Sequence, residues 1–443
     1  MQKKKSRPQA KPRTQNQAPL PAVEINIDKL VYGGDGLGRL GSGEIIFVPW
    51  SAPGDRLKVQ PLAGSQKPAR GRIAEILETG PERTTPPCSV FGTCGGCQWQ
   101  HLNPSAQRMW KRDIVAESLQ RIGKLPDVQV LDTIGSDEAT WHYRNRVQWD
   151  VGPRGQLGYC QASSHDVVAF DHCWIIPEPL NRIADWLQEK FQSDTALATR
   201  VKRIEAFVNR KEQVLVTLEP IQDQELNRLA AALKSAFPEI IGIVSMAEGR
   251  PEPKVLQGQA FLTETLGGHT FCISAGSFFQ TNLEAAERML AVMDEWLLPD
   301  SGSLVDLYAG VGVFAIHFSD RFKRVLAVES AKTALNDARQ NIILVPAPHV
   351  AVKSGDVSRV LGNLSESFDV AIVDPPRAGC RPEVLDWLNR QVQRQILYVS
   401  CNPTTLARDL KTLAEGGWQV QAVQPIDMFP QTYHMETIVN LTR

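Results

Sequence analysis

Apolar and polar residues alternate with a period of two in EINIDKL, and short runs of the same kind recur in EIIFVPW, RLKVQPL and ARGRIAEIL. Runs this short, bounded by glycine, predict strands, and GGDGLGRLGSG between the first two reads as a glycine-rich turn region. Four or five strands packed between residues 20 and 80 predict a small β-barrel of the oligonucleotide-binding type. From residue 81 to 281 the pattern is mixed and free of repeats: WHYRNRVQWD and GQLGYC alternate as strands do, and EPLNRIADWLQEKF carries the apolar spacing of an amphipathic helix. From residue 282 to 443 helical and apolar segments take turns. EAAERMLAVMDEWL and VGVFAIHFSDRF read as helices, and SLVDLYAG, RVLAVES, DVAIVDPP and ILYVSC as strands. Buried apolar strands joined by crossover helices predict a doubly wound, mostly parallel α/β sheet.

Composition and charge alter this picture at one end only. The 443 residues are 42% hydrophobic and 22% charged, and the net charge is −1. Residues 1–19 are rich in Lys, Arg, Gln and Pro, which predicts a disordered basic tail. Lys3, Lys4, Lys5, Arg7, Lys11 and Arg13 stand there without a single acidic residue. Residues 1–80 hold 13 basic against 7 acidic side chains, an excess that points to a polyanion partner. No apolar run approaches the ~20 residues of a membrane-spanning helix, and the N-terminus lacks the apolar stretch of a signal peptide. The expectation is a cytoplasmic protein whose eight cysteines stay reduced.

Three strand ends carry the candidate chemistry. DLYAGVGVF follows one strand and opens a helix, and its Gly310 and Gly312 let a ligand approach the backbone. Glu329, at the end of the next strand, is placed to accept the hydroxyls of a ribose. The loop lacks the third glycine of a pyrophosphate cradle, which favours an adenosine ligand without phosphates, such as S-adenosylmethionine, over a nicotinamide cofactor. Asp374 in DPPRAG ends another strand, and its carboxylate and two prolines make a rigid wall. Cys401 ends ILYVS and precedes NPTTLARDL, so the thiol faces a helix N-terminus whose dipole is expected to favour thiolate. Such a thiolate can attack carbon 6 of a uracil and turn carbon 5 into a nucleophile. A base must then remove the carbon 5 proton, and Glu436, before the last apolar strand, is the candidate.

Taken together, DLYAGVGVF, DPPRAG, VSCNPTTLARD, DMFPQTYHMETIVNL and SFFQTN resemble the uracil-5 methyltransferases of structured RNA, in the branch that carries an iron–sulfur cluster. The resemblance runs from about residue 20 to the C-terminus. It implies a Rossmann-like methyltransferase domain, Cys401 as nucleophile and Glu436 as base. It further implies Gln280, Tyr308, Glu329 and Asp374 around S-adenosylmethionine, with Asp356 reaching the adenine. Val313 departs from members with a polar residue there. Residues 20–80 are similar to the RNA-binding TRAM barrel, and residues 81–281 would form a central α+β cluster-binding domain.

Cys88, Cys94 and Cys97 are spaced C-x5-C-x2-C around Gly95–Gly96, and Cys173 can supply a fourth thiolate. The spacing suits zinc or an iron–sulfur cluster equally; the resemblance, through CGGCQWQH and DHC, implies a 4Fe–4S cluster. Cys160, Cys272 and Cys380 remain as small buried or incidental residues, with Cys380 a weaker rival nucleophile beside DPPRAG. The implied substrate is structured RNA, 23S rRNA ahead of tRNA, and the implied state is a monomer with no membrane attachment. Two other readings are an RNA-binding factor that no longer catalyses and an NAD-dependent oxidoreductase.

Overall fold

The structure, a computed structural model, describes residues 20–62, 68–162, 164–220, 226–247, 252–298 and 301–443. The basic tail expected at residues 1–19 lies outside them. The chain divides into two compact units, one ending at Arg83 and one spanning Thr84–Arg443.

The first unit contains a closed barrel of five strands, Val23–Leu30, Gly36–Arg39, Ile45–Val48, Arg56–Pro61 and Ala69–Glu78. Alternation places Ile25, Ile27, Ile46, Val48, Leu57 and Val59 inside. The stretch GGDGLGRLGSG is not only a turn: Gly36–Arg39 within it is a strand. Gly36 and Gly38 permit this because a Cβ at either would meet Ser51 or the Asn26 carbonyl. The buried Asp55 carboxylate accepts from the amides of Ala52 and Gly80 and from Arg83 at 2.6 Å, which fixes the barrel's exit.

The second unit is built on two seven-stranded sheets. The first runs in the order Lys254–Gly258, Ile240–Ser245, Val214–Pro220, Val201–Val208, Arg146–Val151, Leu157–Cys160, Val167–Ala169. The helix Glu178–Ser193 buries Leu180, Ile183, Leu187 and Phe191 against it, one face at the i, i+3, i+7 spacing. Of WHYRNRVQWD only the second half joins a ladder, in the strand Arg146–Val151. His142 turns with φ 52°, and residues 141–145 form a connection instead of a strand.

The second sheet runs Val350–Ser354, Phe322–Glu329, Ser301–Leu307, Phe368–Val373, Val392–Ser400, Glu436–Thr442, Gln419–Ile426. Its first five strands are parallel, and Glu436–Thr442 is antiparallel to both of its neighbours. The chain order reverses between Ser301–Leu307 and Phe368–Val373, the switch point at which such sheets bind ligands. VGVFAIHFSDRF is helical only over Val313–His317, with a single 3-10 turn at Ser319–Arg321. Phe322 already belongs to the next strand, whose apolar residues are buried and outweigh the helical spacing. The hairpin Phe261–Leu266/His269–Ser274 docks on the helix Lys332–Leu344: the Cys272 amide donates to Asn341 and the Ser274 amide to Asp337. The helix Pro104–Ser118, early in the chain, packs against Pro403–Glu415 near the C-terminus.

Candidate active site and cysteine pocket

Strand ladders bring the candidate nucleophile and base together. Ser400 pairs with Thr437 across an antiparallel ladder, so the next residues outward, Cys401 and Glu436, face each other at the sheet's carboxyl edge. The antiparallel sense of the last strand is what puts its first residue, Glu436, at that edge. One strand over, Val373 pairs with Tyr398, which places Asp374 beside the same edge.

Cys401 is fixed by its immediate neighbours. Asn402 caps the helix Pro403–Glu415, its Oδ1 accepting from the Thr404 and Thr405 amides at 3.0 and 3.5 Å. The Asn402 Nδ2 donates to the Arg377 carbonyl at 3.1 Å, which stitches the nucleophile turn to DPPRAG. The expected stabilised thiolate does not appear. Burial, then the Glu436 carboxylate, push the Cys401 thiol up to about 11, against the opposing charge of Arg377. The helix N–H groups that were to favour thiolate already point at Asn402.

Glu436 is pushed well above the carboxylate range by burial and by Asp374, and its Oε2 is buried without a hydrogen-bond partner. An unpartnered carboxylate oxygen at the mouth of a site is costly unless a substrate meets it. Burial raises Asp374 to about 7. Below the glycine loop, burial raises the wholly enclosed Asp306 to about 8; its Oδ2 accepts from the Ala315 amide at 3.0 Å. Sequence reasoning passed over Asp306 and Arg377, although both stand inside quoted motifs. It also passed over His434, which burial and then Arg377 depress to about 4.

The remaining expected site residues are distributed around the switch point. Glu329 Oε2 accepts from the Gly310 amide at 2.9 Å and its Oε1 from the amides of Ser330 and Ala331, so this carboxylate also braces the glycine loop. Gly310, at φ 57°, has open space where a Cβ would stand. Tyr308 adopts φ 65°, rare for a side-chain-bearing residue, and burial raises its hydroxyl beside Cys380. Asp356 caps the short helix Val357–Gly362, accepting from Ser358 Oγ at 2.5 Å and Arg381 at 3.2 Å. Gln280 is half-buried next to the Asn282 cap, and its carbonyl accepts from Asn145 at 3.2 Å. Cys380 is buried beneath Tyr398, whose hydroxyl donates to Asp409 at 2.6 Å.

Cys88, Cys94, Cys97 and Cys173 line one pocket together with Val90, Phe91, Tyr159, Phe170 and Ile175. Burial and the neighbouring sulfurs push the Cys97 thiol up to about 12 and Cys173 to about 11. Among the described residues no three His, Cys, Asp or Glu side chains converge so as to hold a metal ion as they stand. Four sulfurs sharing an apolar pocket are a soft donor set, and a bound cation would draw such thiols into the thiolate form that coordinates it. Gly95 permits the chain to pass Cys160, because a Cβ there would sit 2.7 Å from the Cys160 carbonyl. Asn181 locks Cys173 from both sides, accepting from its amide at 2.9 Å and donating to its carbonyl at 3.2 Å. Cys160 itself donates to Asp150 at 3.2 Å, outside the pocket.

A doubly wound sheet with a glycine loop at its switch point, and a thiol facing a carboxylate beside it, defines an α/β protein of the Rossmann-like kind with a candidate catalytic pair at its ligand-binding edge. The comparisons with known proteins are more specific. Residues 112–352 and 359–443 match the tRNA (uracil-5-)-methyltransferase family, and the chain belongs to it. An uncharacterised RNA methyltransferase of Halalkalibacterium halodurans is 33% identical over 444 residues, covering 95% of this chain and 96% of that protein. One from Thermotoga maritima is 30% identical over 440 residues, covering 95% and 99%. Among solved structures, the tRNA (uracil-54, C5)-methyltransferase of Pyrococcus abyssi in complex with S-adenosyl-L-homocysteine is similar, with a TM-score of 0.73 and 25% identity. That match covers 94% of this chain and 99% of that one. The chain is therefore an enzyme of the RNA methyltransferase class. No helix among the described residues is long and apolar enough to cross a membrane.

Proposed function

We propose that this enzyme methylates carbon 5 of a uridine in structured RNA, with S-adenosylmethionine as donor and Cys401 as covalent nucleophile. The facing pair of Cys401 and Glu436 at one sheet edge carries the reading. Sulfur adds to carbon 6 and carbon 5 gains the electron density to take a methyl group. S-adenosylmethionine supplies that methyl on a sulfonium and leaves as a thioether. Glu436 accepts the carbon 5 proton, and the returning electron pair breaks the carbon–sulfur bond and frees Cys401. A base with a free, buried oxygen suits this last step. A cation bound near Asp374 would draw Asp374, Glu436 and Cys401 toward their ionised forms, because opposite charge lowers all three.

Gln280, Tyr308, Glu329 and Asp374 would hold the donor around the switch point, with Asp356 toward the adenine. Cys88, Cys94, Cys97 and Cys173 would hold a 4Fe–4S cluster in a structural role, since the reaction transfers no net electron. The barrel at residues 20–80 would be a TRAM domain that, with the basic tail, adds affinity for RNA phosphates. We assign the substrate to 23S rRNA on the combination of barrel and four-cysteine pocket, and place the enzyme in the cytoplasm as a monomer. The likeness to the Pyrococcus abyssi enzyme favours tRNA as the second reading. Incubating unmodified 23S rRNA and tRNA separately with enzyme and S-adenosylmethionine, then measuring 5-methyluridine by mass spectrometry, tests both. Product in rRNA alone supports the assignment, product in tRNA alone replaces the substrate, and product in neither overturns the activity.

A further inference from the structure

The turn Asp427–Thr432 leads into the strand that begins with Glu436, and it is held from the far end of the unit's sequence. Lys111, fully buried, donates to Asp427 Oδ1 at 2.5 Å and to the Phe429 carbonyl at 3.0 Å. Gln107, one turn earlier on the helix Pro104–Ser118, accepts from the Gln431 amide at 2.8 Å and donates to Gln431 Oε1 at 3.0 Å, 324 positions away. The amides of Gln98 and Trp99, just after Cys97, both donate to the Gln431 carbonyl, at 3.1 and 2.9 Å. Gln431 is thereby kept at φ 68°, a left-handed conformation that a residue with a side chain adopts only when its surroundings impose it.

Glu436 needs such help. Its Oε2 has no hydrogen-bond partner, so the aim of that oxygen depends on where the backbone delivers the start of its strand. We propose that Gln107 and Lys111 are positioning residues for Glu436: they clasp the turn Asp427–Thr432 so that the carboxylate reaches the carbon 5 proton. The proposal rests on the reading of Glu436 as the base. Removing the clasp should therefore slow proton removal and release of RNA, and leave formation of the Cys401 adduct intact.

The two steps can be read apart. RNA with 5-fluorouridine at the target has no proton at carbon 5, so its adduct forms and cannot resolve. Lys111→Met alone leaves Asp427 buried without its cation and is expected to unfold the protein. The double variant Lys111→Met/Asp427→Leu removes both charges, and Gln107→Leu keeps the volume; thermal unfolding confirms that each is folded. Both should form the fluorinated adduct within about twofold of the wild-type rate, while release from ordinary uridine slows at least ~10-fold, within the range a general base contributes. An adduct with ordinary RNA should then persist on a denaturing gel. Glu436→Gln serves as the control. If it traps RNA while Gln107→Leu and the double variant release RNA normally, or if both steps slow equally in those variants, the positioning role is overturned. If Glu436→Gln itself traps nothing and turns over normally, the base assignment falls and this inference falls with it.

Discussion

The nucleophile and the base lie on neighbouring strands, yet the chain positions them by opposite means. Cys401 is set by residues next to it: a strand end, the Asn402 cap and the start of Pro403–Glu415. Glu436 is set by a turn whose partners, Gln98, Trp99, Gln107 and Lys111, stand more than 300 positions earlier. Local placement survives as a motif and can be read in eleven residues. Distant placement leaves no local trace, because a left-handed Gln431 and a buried Lys111 mean nothing until they are seen together. The same split recurs lower down, where Asn282 caps its own helix through Ala285 and also donates to the Met428 carbonyl at 3.2 Å.

The largest effect should come from the locally placed end. Cys401→Ala should reduce methylation to background while leaving S-adenosylmethionine affinity nearly unchanged, as isothermal titration would show. Retained turnover would move the nucleophile elsewhere, and Cys380, buried under Tyr398, is the first alternative.

The same thiol makes a pH signature. Its raised value, about 11, means that thiolate is scarce at neutrality and grows about tenfold per pH unit. The rate of adduct formation with 5-fluorouridine RNA should therefore climb by roughly 10²-fold from pH 7 to 9. A plateau below pH 8 would show that the bound donor lowers the thiol well below this value.

If Cys88, Cys94, Cys97 and Cys173 hold the proposed cluster, its loss should touch only the distantly placed end. After chelation or oxidation, amide exchange in residues 427–434 should rise about tenfold, a change of about 1.4 kcal/mol in local opening. Exchange in residues 403–410 should stay as it was. Equal loosening of both segments would make the cysteine pocket a general fold clamp and dissolve the contrast.

The smallest effect belongs to the cap. Asn402→Ala should cost about 1 kcal/mol of stability by freeing helix N–H groups, and it should reduce adduct formation more than adduct release. The opposite order would mean that the nucleophile turn too is held mainly from a distance.

These contrasts explain what the sequence disclosed. The doubly wound sheet was legible because its strands are short apolar runs ending in glycine, Asp–Pro–Pro or cysteine. The barrel was legible from period-two alternation, although Gly36–Arg39 hid among turn glycines. Cys401 and Glu436 could be named, but not their facing geometry, which needs the last strand to run antiparallel. The thiol's electrostatics misled sequence reasoning, because the dipole argument ignored Asn402 as the occupant of the helix N-terminus and Glu436 as a neighbour. WHYRN alternates as a strand would and forms a connection, since the His142 and Arg144 amides donate to the Trp174 and Ile175 carbonyls at 2.9 and 2.8 Å instead of joining a ladder.

The central claim is that Cys401 bonds to the uridine and Glu436 ends that bond. Glu436→Gln, incubated with RNA and S-adenosylmethionine, should yield a protein–RNA species stable to denaturing electrophoresis. After nuclease and protease digestion, mass spectrometry should find a methylated uridine on the peptide that contains Cys401. A variant that turns over at the wild-type rate and leaves no such peptide would contradict the account.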